Sequence, residues 1–302
     1  MNMKHRFKEW FAVTRYWSFP VSTMPVVACF AYLFSKGLVP DGIMPWVMFV
    51  LCLLGVVLLH SAGNVLSDYF DYKSGVDNEN AFAVPNLVFK KFQPVEYLTF
   101  SIVLFIAGAT VGVVIAFLSG GPGIWIIGIA GVVLTALYSL LKFNALGDLD
   151  IFIIFGVLTV LGTAYAVTGA WHWDALLLSL PLGIITVSVL HANNTFDTES
   201  DRAAGIKTFA MLIGGKASSV LYAVYMVFPF VFMIVAAATG QVHWLALLCL
   251  VAAVPAWKNL KQACTYDKVG LDAMKGLDQA TAKLHMIFSL ALSAGLFLSV
   301  LL

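Results

Sequence analysis

The chain has 302 residues, of which 61% are hydrophobic and 11% are charged, and its formal net charge at pH 7 is +1. Soluble domains carry about 25% charged residues, so this composition indicates an integral membrane protein. The balanced charge and the lack of long basic runs predict no nucleic-acid partner. The basic, amphipathic start MNMKHRFKEWFAVTRYW is not closely followed by a small-residue cleavage site, so we expect no cleavable signal peptide.

Long apolar runs predict nine membrane-spanning helices, because a spanning helix needs about 20 mainly apolar residues. The predicted spans are residues 19–36, 44–66, 96–118, 123–141, 150–169, 175–195, 217–238, 243–257 and 284–302. Short glycine-containing turns separate several neighbouring spans. We therefore expect an all-α integral membrane protein with a single polytopic domain over residues 1–302.

The placement of basic residues predicts the orientation in the membrane. If the connections alternate between the two sides, all of the 17 Lys and Arg residues except Lys36 lie on the side of the N-terminus. Cytoplasmic connections carry an excess of Lys and Arg. The N-terminus is therefore predicted to be cytoplasmic, and functional polar groups are expected on that side.

Two similar acidic segments each close an apolar run on the predicted cytoplasmic side. The first acidic motif is HSAGNVLSDYFDYKSGVD, residues 60–77, and the second is HANNTFDTESDRAAGIKT, residues 191–208. At 100° per residue, three polar side chains of each motif share one narrow stripe of a helix. These are Asn64, Asp68 and Asp71 in the first motif and Asn194, Asp197 and Asp201 in the second. A glycine follows each stripe.

Carboxylates at these positions predict a cation site. An ionised Asp at the centre of a spanning helix costs about 2.5–3.5 kcal/mol, so a stripe of them must face something polar. Oxygen ligands suit Mg²⁺, which binds one or two carboxylates and completes its shell with water and substrate phosphates. Charged helix ends that merely meet water are the alternative, which the repeated pattern disfavours. We predict a Mg²⁺-bound diphosphate site, with Lys207, Arg202 and Lys142 as candidate phosphate ligands.

Four segments resemble the UbiA superfamily of intramembrane aromatic prenyltransferases, and most closely its MenA-like branch, the 1,4-dihydroxy-2-naphthoate polyprenyltransferases. They are TRYWSFPVSTMP (14–25), NVLSDYFDYKSGVD (64–77), LGDLDIFIIFGVLTVLGTAYAVTG (146–169) and NNTFDTESDRAAGIKTFAMLIG (193–214). The resemblance covers most of the first 215 residues. It implies a bundle of nine transmembrane helices that uses Mg²⁺ and a polyprenyl diphosphate.

The resemblance also implies roles for single residues. Asn64, Asp68 and Asp71 would hold one Mg²⁺, and Asn194, Asp197 and Asp201 would hold a second. Lys73, Asp77 and Lys207 would contact the diphosphate. Arg15 and Asp148 match polar positions near the family's pocket. Asp148 would orient or deprotonate the acceptor, or else only cap the fifth span. His60 and His191, which precede the motifs, are expected to pack between helices or form hydrogen bonds rather than bind metal, because Mg²⁺ prefers oxygen.

The function predicted from the sequence is transfer of a polyprenyl group to an aromatic ring. The preferred acceptor is 1,4-dihydroxy-2-naphthoate of menaquinone synthesis, and the expected location is a bacterial cytoplasmic membrane, where the tail lies between helices or in membrane lipid. The alternatives are another aromatic acceptor (4-hydroxybenzoate, homogentisate or a tetrapyrrole), a cation-coupled transporter, and a non-catalytic lipid-binding protein. Transporter sites tend to lie near the membrane midplane, whereas these acids lie at helix ends on one side.

Overall fold

The computed structural model describes residues 7–75 and 86–302, and its helices form a bundle. The α-helices are α1 (Phe7–Val13), α2 (Pro20–Ser35), α3 (Met44–Ser74), α4 (Pro94–Ser119), α5 (Gly123–Phe143), α6 (Gly147–Ile151), α7 (Thr159–Thr168), α8 (Ser179–Phe196), α9 (Thr198–Ala203), α10 (Phe209–Ile213), α11 (Gly215–Ala238), α12 (Ala253–Ala263), α13 (Tyr266–Val269) and α14 (Leu277–Leu298). Short 3₁₀ segments cover Tyr16–Ser18, Trp173–Leu178, Trp244–Ala252, Gly270–Met274 and Ser299–Leu301. A π-helical segment, Phe152–Leu158, joins α6 to α7.

Nine helical stretches within residues 7–75 and 86–302 are long and apolar enough to cross a membrane, which confirms the predicted number. They are Tyr16–Ser35, Met44–Ser74, Pro94–Ser119, Gly123–Phe143, Gly147–Thr168, Trp173–Phe196, Gly215–Ala238, Trp244–Met274 and Leu277–Leu301. Several of these stretches are built from more than one helical segment. The protein is thus an all-α integral membrane protein.

Several predicted boundaries differ from the structure at helix ends that carry polar residues. The eighth stretch shows the largest difference, since it ends at Met274 rather than at residue 257. Helix α3 continues to Ser74, beyond the predicted end at residue 66, and α14 begins at Leu277 rather than at residue 284. A window of apolar residues detects only the part of a helix that faces lipid, whereas the backbone hydrogen bonds continue past that part. Both extensions bring polar side chains to one end of the bundle.

The π-helical segment lies where two helices approach closely. A side chain at Gly156 would meet the backbone of Gly183 and the carbonyl oxygen of Ser179, each at 3.3 Å. The Ser179 hydroxyl donates to the Gly156 carbonyl oxygen at 2.9 Å. The wider turn of a π-helix re-aims the side chains that follow it, and such turns are frequent at functional sites.

A small apolar cluster fixes the N-terminal helix against the first acidic motif. Trp10 of α1 packs edge-on against Phe92 and Phe100, with ring centroids 4.7 Å apart in both pairs. Val65 of α3 and Leu87 of the following connection are buried in the same cluster. The described part of this connection, residues 86–93, is therefore packed against the bundle and holds the segment around Arg15 close to α3.

Candidate active site

A cavity opens between the helices that carry the two acidic motifs. Three of the predicted site residues line it, namely Arg15, Asn64 and Lys142. The other polar residues of its wall include Ser18, His60, Ser67, Tyr138, Asn193 and Asp278. The apolar part of the wall comes largely from α2, the π-helical segment and α8. The cavity is thus polar toward the motifs and apolar toward the bundle interior.

The first acidic motif lies on one unbroken helix, as predicted, up to Gly75 at φ 79°. Asp71 is buried, and its Oδ2 atom accepts from the Ser67 hydroxyl at 3.3 Å and from Lys142 Nζ at 3.5 Å. Asp68 forms an ion pair with Arg15. Two carboxylates of this motif are therefore each matched to a cation that lines the cavity.

Arg15 stands at a corner of the backbone between α1 and the Tyr16–Ser18 turn. It adopts a left-handed conformation at φ 54°, which is uncommon for a residue other than glycine. The same corner binds the first motif, because Asn64 Nδ2 donates to the Thr14 carbonyl oxygen at 3.0 Å and lies 3.4 Å from Ser18 Oγ. This corner therefore fixes the orientation of both the Arg15 guanidinium group and the Asn64 side-chain amide.

The second acidic motif is not one continuous helix, which corrects the single stripe expected from its spacing. Helix α8 ends at Phe196, and Asp197 separates it from α9. The Asn193 side chain donates to Asp197 Oδ2 at 2.9 Å and holds this break. Gly205, at φ 75°, follows α9, as Gly75 follows α3.

Lys142 connects the two motifs. It lies in the last turn of α5, and the backbone just beyond it pairs with the end of the second motif, where Lys207 N donates to the Phe143 carbonyl oxygen at 3.2 Å. Asp71 and Asp201, one from each motif, are acidic groups whose charges act on the Lys142 ammonium. Lys142 thus contacts the first motif and is close enough to the second for the charge of Asp201 to act on it.

Burial changes the pKa of two carboxyl groups in the second motif. It raises the pKa of Asp197 and the pKa of Asp201 to about 6 each, while the Lys142 ammonium lowers both pKa values. Removing a carboxylate from water disfavours its charged form, and a further cation between the acids would favour it again. The site therefore has the electrostatic character of a cation-binding site.

Asp148 is buried beside the second motif and does not line the cavity. Its Oδ2 atom lies 2.8 Å from His191 Nδ1, and its Oδ1 atom accepts from Asn194 Nδ2 at 3.5 Å. His191 is fully buried, and its Nε2 atom lies 3.3 Å from the Ser218 carbonyl oxygen. The expectation that both motif histidines pack between helices or form hydrogen bonds is confirmed, since His60 also lies within hydrogen-bond distance of Ser18 and Ser22.

The remaining predicted phosphate ligands lie outside the cavity wall. Lys73, Arg202 and Lys207 are exposed, and Lys73 lies over the Tyr69 ring at 5.7 Å from its centroid. Asp77 lies outside the described residues. Within the described ranges, the basic groups of the wall are Arg15 and Lys142.

Asp278 and Asn193 were not predicted as site residues. Asp278 lies in the first turn of α14, in a stretch that the apolar pattern assigns to a connection. Asn193 is the neighbour of Asn194 in α8 and lines the cavity. Gly276, which precedes α14, and Asp278 in its first turn are sequence signals of the earlier helix start.

The donor groups fit a metal ion that is shared with a substrate. Within residues 7–75 and 86–302, no three carboxylate, imidazole or thiol groups converge closely enough to hold a metal by themselves. Three buried oxygens of the motifs, however, have no hydrogen-bond partner in the described part of the chain: Asp71 Oδ1, Asn194 Oδ1 and Asp201 Oδ2. Buried polar atoms are rarely left unpaired, so these oxygens mark places for ligands. Mg²⁺ suits such a set, because it takes few protein oxygens and completes its shell with phosphate and water.

A second, apolar cavity adjoins the first between α3, α4, α5 and α7. The two share wall residues, among them His60, Thr135 and Phe155. Six glycines contribute to the wall of the second cavity: Gly55, Gly108, Gly112, Gly128, Gly131 and Gly162. A Cβ atom built on Gly112, Gly128 or Gly131 would meet no atom within 4 Å, so the missing side chains leave open space. The apolar cavity can therefore receive a hydrocarbon chain whose polar end lies in the first cavity.

The sequence profile of the UbiA prenyltransferase family matches residues 22–270. The chain is 32% identical over 292 residues to the human UbiA prenyltransferase domain-containing protein 1, covering 94% of this chain and 82% of that protein. It is 29% identical over 305 residues to the protein of the same name from Danio rerio, covering 99% of this chain and 87% of the relative. A solved structure of a UbiA homolog from Archaeoglobus fulgidus bound to GPP and Mg²⁺ has the same fold, with a TM-score of 0.63 and 14% sequence identity over 97% of this chain and 99% of the homolog.

These relatives support the family and not the predicted branch within it. The two curated proteins come from animals and carry a name that specifies no acceptor, so nothing in them favours the naphthoate branch or a bacterial cytoplasmic membrane. Both of these finer expectations stay predictions. The orientation with a cytoplasmic N-terminus likewise rests on the placement of basic residues alone.

Proposed function

This chain belongs to the UbiA prenyltransferase family, and we propose that the enzyme transfers a polyprenyl group from its diphosphate to an aromatic acceptor. The observation that carries the proposal is a pair of adjoining cavities that share wall residues. The first cavity presents Arg15 and Lys142 between two acidic motifs, and the second is apolar and lined by glycines. A diphosphate and its long tail need these two environments side by side.

In this proposal the motif residues hold the metal and the basic residues hold the diphosphate. Asn64, Asp68, Asp71, Asn194, Asp197 and Asp201 would hold Mg²⁺, which neutralises charge on the leaving diphosphate when it is bound. Arg15 and Lys142 are paired with Asp68 and Asp71 and exchange those partners for phosphate oxygens. The exposed Lys73, Arg202 and Lys207 contact the diphosphate where it reaches the mouth of the site, and the diphosphate contact of Asp77 stays a prediction.

The aromatic acceptor reacts in the first cavity. Loss of diphosphate leaves an allylic cation, which the rings of Tyr138 and Phe155 in the cavity wall stabilise through cation–π contact. The acceptor ring attacks this carbon, and the apolar walls exclude water that would otherwise consume it. We propose 1,4-dihydroxy-2-naphthoate as the preferred acceptor, whose ring carboxylate leaves as carbon dioxide when the new carbon–carbon bond forms.

The test is prenyl transfer by the purified protein in detergent. The protein is incubated with Mg²⁺, geranylgeranyl diphosphate and one acceptor at a time (1,4-dihydroxy-2-naphthoate, 4-hydroxybenzoate or homogentisate), and the products are identified by mass. We expect a prenylated 1,4-dihydroxynaphthalene, detected as such or as the quinone that air forms from it, that is absent with EDTA and absent in Asp71→Asn. Asp267→Asn is the matched control, because Asp267 is exposed, pairs with Lys216 and lines neither cavity.

The outcomes separate the parts of the proposal. Product from another acceptor alone would keep the reaction class and replace the naphthoate assignment. A folded protein that binds the diphosphate and prenylates none of the acceptors would contradict the proposed acceptors altogether.

A further inference from the structure

A hydrogen-bonded chain of three side chains lies behind the second acidic motif: His191, Asp148 and Asn194. His191 Nε2 faces the Ser218 carbonyl oxygen, which can only accept, so this ring nitrogen carries a proton. His191 Nδ1 is 2.8 Å from Asp148 Oδ2, and a contact of that length between the two atoms requires one proton between them. The histidine therefore fixes the orientation of the Asp148 carboxyl group.

The other carboxyl oxygen of Asp148 determines which way the Asn194 amide faces. Asp148 Oδ1 lies 3.5 Å from Asn194 Nδ2, a long hydrogen bond. If the amide were turned over, its oxygen would face another acceptor and the contact would be repulsive. Asp148 thus holds the nitrogen of Asn194 on its own side and leaves the oxygen on the other.

The Asn194 oxygen left free in this way is buried. Asn194 Oδ1 has no hydrogen-bond partner among residues 7–75 and 86–302, and Asn194 is 2% exposed. Asp201 of the same motif also keeps one buried oxygen, Oδ2, without a partner in this part of the chain. These oxygens are acceptors without donors, which is the state of a ligand atom before its cation arrives.

The first motif reaches the same arrangement by other means. Asn64 Nδ2 donates to the Thr14 carbonyl oxygen at 3.0 Å, and that acceptor also excludes the turned-over amide. The leading asparagine of each motif therefore has its side-chain nitrogen anchored, and in the second motif the oxygen is buried without a partner in the described part of the chain. In the first motif the anchor is backbone, whereas in the second it is an ionisable side chain.

We propose that Asp148 and His191 are positioning residues that turn the Asn194 carbonyl oxygen toward the metal. The inference rests on the proposed function, since the metal is the one shared with the diphosphate. It assigns to Asp148 a role other than proton transfer to the acceptor: the carboxyl group lies outside the cavity wall, and both of its oxygens are engaged by His191 and Asn194.

The experiment measures metal binding without turnover. Purified protein in detergent is titrated with Mn²⁺ in the presence of geranylgeranyl S-thiolodiphosphate, an analogue that resists ionisation, and bound Mn²⁺ is read by electron paramagnetic resonance. We expect Asp148→Asn to weaken Mn²⁺ binding about tenfold, the lower range for loss of a group that orients a metal ligand. Asp150→Asn is the matched control, because Asp150 is also a buried acid on the same short helix and its oxygens bond to no described residue.

A double variant distinguishes orientation from a general structural role. Asn194→Asp replaces the amide by a carboxylate with two equivalent oxygens, which needs no orientation. We expect Asp148→Asn/Asn194→Asp to bind Mn²⁺ more tightly than Asp148→Asn alone, although each single substitution weakens binding. If Asp148→Asn fails to fold, His191→Gln takes its place in the same comparison, with an expected loss of a few fold.

Each outcome bears on the inference. Unchanged Mn²⁺ affinity in Asp148→Asn would overturn it, and if turnover were then lost, Asp148 would act on the acceptor instead. Additive effects in the double variant would also overturn it. If the unsubstituted protein bound no Mn²⁺ with the analogue, the proposed function itself would fail, whereas tight binding in all variants would remove only the role of Asp148 and His191.

Discussion

The two acidic motifs have similar sequences and different structures. The first continues a single long helix, and its leading Asn64 is held by a backbone oxygen of the corner at Arg15. The second is broken at Asp197, and its leading Asn194 is held by Asp148 from a neighbouring helix. The comparison shows that two motifs with the same spacing of Asn and Asp can be held in place by different neighbouring groups. One half of the site depends on the N-terminal segment and the other half on buried ionisable side chains.

The strongest test of the comparison removes one metal-facing carboxylate from each motif. If both motifs hold metal around one diphosphate, Asp71→Asn and Asp201→Asn should each lower kcat/KM for prenyl transfer about 10³-fold, as loss of a group that stabilises the developing charge does. Steady-state kinetics with Mg²⁺ measures this, and thermal unfolding checks that the variants fold. A loss confined to one motif would show that the two halves do not act together.

Lys142 is the residue that joins the two halves. Because it lies between Asp71 and Asp201 and lines the cavity, Lys142→Met should lower kcat/KM about 100-fold, near the ~3 kcal/mol upper value of a charge-assisted hydrogen bond. Lys216→Met is the matched control, since Lys216 is exposed and pairs with Asp267 at 2.8 Å. Equal activities of the two variants would exclude Lys142 from the diphosphate site.

Arg15 forms its ion pair with Asp68 of the first motif. Arg15→Gln should raise KM for the diphosphate about tenfold, equivalent to ~1.5 kcal/mol, and change kcat less. The substitution also frees Asp68 from its ion pair, so the Mg²⁺ concentration for half-maximal activity should fall. Titration of Mg²⁺ at saturating diphosphate measures the second effect, and a rise in that concentration would contradict the exchange of partners.

The apolar cavity lies outside both motifs, so substitutions in its wall should affect only the binding of the prenyl tail of the donor. Gly131→Leu fills open space in its wall, so it should lower the preference for geranylgeranyl over geranyl diphosphate about fourfold, the effect of one displaced methylene at ~0.8 kcal/mol. Competition between the two donors measures the ratio. Val133→Leu, at an exposed position of the same helix, is the control. An unchanged ratio in Gly131→Leu would place the tail elsewhere.

The helices and the acidic motifs could be predicted from local pattern because lipid and water impose simple rules on a membrane chain. Nine apolar runs of spanning length predict nine helices. Carboxylates at the ends of two of these helices predict a polar site at one end of the bundle. The helix ends could not be predicted in the same way. The first turns of α14, with Asp278, look like a connection until packing against the bundle extends the helix.

Hydropathy and charge along the chain are enough to predict the membrane-spanning architecture and the acidic residues at one end of it. Which polar groups meet depends on the tertiary structure. It brought Lys142 of α5 between the two motifs, put Asp148 behind Asn194 rather than in the cavity, and left Lys73, Arg202 and Lys207 exposed. Contacts between helices far apart in sequence depend on how side chains pack, so the periodicity of residues along one helix cannot predict them.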